Sequence, residues 1–84
     1  MEYHLIMCRS LTYAQKAVYT LERGGITVNI VKVPQSVSKT GCSYGVRVQS
    51  RRLRESVMLL KAKQVPFGKV FRYLADGSME EVEV

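Results

Sequence analysis

Cys42 is the residue of this 84-residue chain best placed to do chemistry. It follows the polar stretch 35–41 and opens an alternating run, the position of an accessible thiol at a loop-to-strand junction. The thiolate is the nucleophilic form of cysteine, and nearby positive charge or a helix N-terminus makes that form easier to reach. Such a sulfur can attack an electrophile or carry a labile sulfur or selenium atom; the other reading is a packing cysteine. Cys8 closes an apolar run and reads either as a small core residue or as a second, redox-active thiol. Arg51, Arg52 and Arg54 gather where a helix is expected to begin. They oppose its dipole and suit either a bound anion or a solvated surface. No metal centre or cofactor is expected, because two cysteines and one histidine show no ligand spacing. His4 reads as a structural or surface residue, and triads and phosphate-cradling glycine loops are absent.

These residues need elements to position them. Residues 3–8 are apolar without helical period and predict a buried strand. Ser10 can cap a helix in which Ala14, Ala17, Val18 and Leu21 recur at helical spacing, and Gly24-Gly25 ends it. Residues 26–33 are rich in β-branched side chains and predict a second strand, stopped by Pro34. Residues 42–48 alternate as a third strand. Ser50 then caps a second helix with Leu53, Val57 and Leu60 inward. Pro66 and Gly68 close it, and residues 69–74 form a fourth strand. Asp76-Gly77 turns the chain into an acidic tail, 76–84, which either adds a short edge strand or stays loose. The order βαββαβ predicts one α+β domain over residues 1–75 with the ferredoxin-like arrangement. Its four-stranded antiparallel sheet has order 4-1-3-2 and both helices on one face.

That topology brings Cys8, Arg9 and Ser10 to the same sheet edge as Gly41, Cys42 and Ser43, with the 64–68 connection beside them. Arg9, Lys39 and the N-terminus of the first helix would there favour the Cys42 thiolate. The three arginines fall at the opposite edge and cannot serve the thiol within one monomer.

Size and composition narrow the classes of function. At 9.5 kDa, 46% apolar and 24% charged, the chain matches a small globular domain and excludes an enzyme with its own cofactor domain. Its longest apolar runs, 5–8 and 57–60, are four residues, too short to span a bilayer. The start of the chain lacks a secretory pattern, and two cysteines are too few for a disulfide scaffold, so a reducing cytoplasm is expected. The formal charge is +6, but four of the seven acids lie in the last nine residues. Residues 1–75 hold thirteen basic and three acidic groups, a formal +10. Such a body attracts nucleic acid, acidic partners or small oxyanions; an acidic tail folded back over it would offset the charge. The RNA-recognition module shares the predicted topology and stacks bases on third-strand aromatics. Residues 43–48 supply Tyr44 alone, with Val46 and Val48 at the other stacking positions. An apolar open sheet face could instead be buried in a homodimer.

Several residues together resemble a known family. Ser10, Ala14 and Leu21, then Gly25-Ile26-Thr27-Val28, Val33-Pro34 and a polar loop to Cys42 are similar to the selenium/sulfur carrier protein-like family of small bacterial proteins. The resemblance covers most of residues 3–73. It implies the ferredoxin-like fold and a cysteine at position 42 that carries sulfur or selenium between donor and acceptor proteins. Ser43 follows Cys42 where the family typically has glycine. The expected protein is a non-enzymatic carrier. The alternatives are a nucleic-acid- or anion-binding module using Arg51, Arg52 and Arg54, and a dimeric subunit without chemistry.

Overall fold

The computed structural model describes residues 2–33 and 44–84. In chain order these form β1 (Tyr3–Cys8), α1 (Leu11–Arg23), β2 (Asn29–Lys32), β3 (Tyr44–Gln49), a 3₁₀ turn (Ser50–Arg52), α2 (Leu53–Ala62), β4 (Val70–Tyr73) and β5 (Met79–Val82). The strands make one antiparallel sheet in the order β2-β3-β1-β4-β5. The fold is therefore α+β, with two helices on a five-stranded sheet. The first four strands keep the expected order, and the expected count of four is corrected by β5.

β5 forms because the segment after Gly77 answers β4 residue by residue. Gly77 takes φ 89°, and Asp76 Oδ1 accepts from the Ser78 amide at 2.9 Å and the Ser78 hydroxyl at 2.6 Å. Those bonds close the turn and hold the Asp76 carboxyl below its ordinary pKa. Arg72 then bonds Glu80 at 2.7 Å, Lys69 lies 3.6 Å from Glu81, and Val82 packs on the main core. Part of the basic surface is thus offset by the acidic end of the chain.

α1 starts where Ser10 Oγ accepts from the Tyr13 amide at 3.3 Å. Ala14, Ala17 and Leu21 are its buried stripe. It ends through Gly25 at φ 84°, with the Ile26 amide returning to the Leu21 carbonyl at 2.9 Å. α2 turns Ser56, Val57 and Leu60 inward, and the buried Ser56 hydroxyl donates to the Arg52 carbonyl at 2.8 Å. Ser50 is not its cap, contrary to the sequence expectation. Its hydroxyl is held by His4 Nδ1 at 2.7 Å and its amide by the Glu2 carbonyl at 3.1 Å, which ties the turn to β1.

Both helices cover the same face. The register aligns Ile30, Val46, Ile6, Val70 and Val82 in one row across all five strands, and this row is the floor of the main core. The other face carries a second cluster of Leu5, Met7 and Val33, with Val31, Phe71, Tyr73 and Met79 against it. Gly45 lies beneath Leu5: a Cβ there would sit 2.6 Å from Leu5 Cδ1, so any larger residue would have to displace the buried Leu5 side chain.

Candidate functional site

Four of the expected site residues, Lys39, Gly41, Cys42 and Ser43, lie outside the described residues. The described chain resumes at Tyr44, which pairs with Cys8 across β3 and β1. Cys8 is fully buried in the main core with Ile6, Ala14 and Ala17, and its thiol points to the Ile6 carbonyl at 3.8 Å. Burial favours the packing role among the two that its sequence position leaves open. Arg9 follows it into solvent, and Ser10 caps α1.

The 66–68 connection reaches the same edge, as expected. The Gly68 amide donates to the Met7 carbonyl at 2.7 Å, and the Met7 amide to the Lys69 carbonyl at 2.9 Å. Between that connection and α1 lies an open cavity of about 220 Å³ lined by Arg9, Tyr13, Pro66, Phe67 and Gly68. The guanidinium supplies charge, while Tyr13 and Phe67 supply aromatic surface. Sequence reasoning found Arg9 but not these rings. Tyr13 sits one turn into α1, and only its position at N3 of a capped helix hinted that it faces this edge.

The arginines occupy the other end of the sheet. Arg51 Nε donates to Gln49 Oε1 at 3.1 Å, Arg52 pairs with Glu55 at 3.2 Å, and Arg54 is exposed. They are thus far from the edge that holds Arg9, in keeping with the topology. The stacking arrangement considered for residues 43–48 does not form. Val46 and Val48 are fully buried beneath the helices with Tyr44 packed beside them, so Gly45 and Arg47 occupy the helix-free face instead. The one-residue alternation of a strand decides this, because the helices claimed the apolar set.

His4 is structural, as expected. Burial, and next to it the Arg72 guanidinium opposite, lower its pKa from 6.5, while Glu2 acts the other way. The unfolded chain therefore binds the proton more tightly than the folded one. The stability gained from neutral His4 is complete above about pH 6.5 and is lost as pH falls through that value toward the lower folded one. In urea titrations between about pH 7.5 and 5, the natural chain should weaken toward acid. His4→Gln should flatten that slope; an unchanged slope would assign it to other groups.

A small α+β domain with a charged, aromatic cavity at one sheet edge is the class that this geometry defines. The model of the family described as "Putative Se/S carrier protein-like" matches residues 3–72, and the chain belongs to that family. A search of curated proteins and a search of solved structures each returned no match. Among the described residues, no helix is long and apolar enough to cross a membrane.

Proposed function

We propose that this protein is a sulfur or selenium carrier, itself not an enzyme, in which Cys42 holds the transferred atom. The observation that carries the reading is the family match over residues 3–72. Two features of the fold support it. Tyr44, two residues beyond Cys42, pairs with Cys8 immediately before Arg9, and two residues of chain span at most about 7 Å. The cavity that Arg9 helps to line opens at the same edge and has room for the end of a donor's side chain.

The reaction is a thiol exchange. The Cys42 thiolate attacks the outer sulfur of a donor cysteine persulfide, the donor's S–S bond breaks, and the donor leaves as a thiolate with the bonding pair. Cys42 is then the persulfide. A nucleophile of the acceptor protein takes the outer sulfur and returns Cys42 as thiolate; selenium follows the same course. No net oxidant is consumed. Arg9 and the free amides at the start of α1 favour the anion at each stage.

The test is the pH dependence of alkylation in the native, reduced protein, read by intact mass beside Cys8→Ala and Cys42→Ser variants. Cys42 should react quickly, with a midpoint below the ordinary thiol value of about 8.5. Cys8, being buried, should react only on unfolding. A slow Cys42 with an ordinary midpoint would end the carrier reading.

A further inference from the structure

The cavity beside Arg9 has a more particular chemistry than transfer from a protein's cysteine requires. Its walls come from three segments: Arg9 follows β1 into solvent, Tyr13 lies in the first turn of α1, and Pro66, Phe67 and Gly68 belong to the connection before β4. Each wall is tied down. The Tyr13 amide is held by the Ser10 hydroxyl at 3.3 Å and the Gly68 amide by the Met7 carbonyl at 2.7 Å. Both rings pack against the main core. The shape is therefore set in advance, and little ordering is left for binding to do. Arg9 forms no ion pair among the described residues, and no acidic residue is part of the lining.

We propose that this cavity binds a small carboxylate that bears sulfur, and that such a compound, as its persulfide, loads Cys42 directly. The transfer step rests on the carrier reading; the binding does not. Each part of the lining selects a part of the ligand. The guanidinium takes a carboxylate through charge-assisted hydrogen bonds. The Tyr13 and Phe67 rings take the sulfur, since a divalent sulfur gains from an aromatic ring about 5 Å away. At about 220 Å³ the cavity is smaller than the roughly 300–1,000 Å³ of sites for drug-sized ligands, which selects a compound of amino-acid size. Free cysteine fits less well, because its ammonium would meet Arg9 with no acidic group to answer it. A cysteine inside a protein has its carboxyl in a peptide bond and offers the guanidinium no carboxylate. In the transfer, the Cys42 thiolate attacks the outer sulfur of the persulfide, the S–S bond breaks, and the mercaptocarboxylate leaves as a thiolate with the bonding pair.

The probe is methylthiopropionate, which has the carboxylate and the sulfur but does not react with a thiol. It is titrated into nitrogen-15-labelled Cys42→Ser protein while backbone amide shifts are followed. Residues 9–13 and 67–68 should move, with a dissociation constant of about 1 mM. The uncharged methyl ester should bind about tenfold more weakly, and so should inorganic phosphate, which gives the rings nothing. Arg9→Glu, at an exposed position, should weaken binding by about tenfold or more. Phe67→Leu keeps an apolar residue without the ring and should weaken it about threefold. The natural chain is then loaded with the persulfide of mercaptopropionate or of mercaptoethanol and read by intact mass. Well below saturation the first should load about tenfold faster, and Arg9→Glu should erase that advantage. The ratio of the two rates separates the cavity from the effect of Arg9 on the thiolate. Failure of the probe to bind, equal binding of the ester or of phosphate, or indifference to Arg9→Glu would overturn the site whatever Cys42 does. Equal loading by the two persulfides would overturn the transfer step and leave the carrier reading in place. Loading by neither would end the carrier reading and the transfer step with it.

Discussion

Cys42→Ser protein is expected to take up no sulfur when incubated with a donor persulfide, while Cys8→Ala protein loads as fully as the natural chain. The reason is chemical. A serine hydroxyl stays protonated near neutral pH and cannot form the bond to sulfur that a thiolate forms. Cys8 is fully enclosed by Ile6, Ala14, Ala17 and their neighbours, so no donor persulfide reaches it in the folded protein. Intact mass after loading, with and without a reductant, gives the answer directly: the added sulfur should appear on the natural chain, vanish on reduction, and be absent from Cys42→Ser. Loading that survives Cys42→Ser and disappears in Cys8→Ala would place the chemistry on the wrong residue. Since Ser replaces Cys at almost constant size, a folding defect is not the expected cause of lost loading, and an unchanged melting curve would verify that.

Ile6→Ala is expected to have the largest effect on stability. Ile6 is fully buried at the middle of the central strand, and it is flanked in register by Val46 on β3 and Val70 on β4, both fully buried as well. Truncation removes apolar contacts and opens a cavity that the sheet cannot close, because its neighbours are fixed by backbone ladders on both sides. Substitutions of this kind cost about 2–5 kcal/mol. A domain of this length has roughly 4–13 kcal/mol in total. Urea denaturation should show the midpoint falling by roughly a sixth at the least, up to a chain already partly unfolded without denaturant. A loss below about 1 kcal/mol would mean that this row is not the core's floor.

Much of the architecture was legible because it depends on local chemistry. β1 has its expected bounds, and α1 begins at the Ser10 cap and ends at the Gly24-Gly25 pair. β2 was expected from residue 26 but pairs only over Asn29–Lys32; Ile26 and Val28 enter the core ahead of the ladder. Their β-branched character announces burial rather than hydrogen bonding. The second helix was correctly placed, but not its start. A serine before a helix predicts a cap only when no distant group competes for its hydroxyl, and His4, forty-six residues away, does.

The sequence by itself determined the elements, the strand order, the charge imbalance and the candidate thiol, since each follows from residue type, spacing or the handedness of βαβ crossovers. Tertiary structure alone decided which set of alternating side chains faces the helices. It buried Val46 and Val48, turned Arg47 onto Tyr3, and brought Tyr13 and Phe67 together beside Arg9. It also recruited the acidic end as β5, where Glu80 and Glu81 meet Arg72 and Lys69. The physical reason is range. Propensity, capping and turns act within a few residues, whereas a face, a cavity wall or a cross-strand ion pair exists only after chain segments far apart in sequence have been packed in one register.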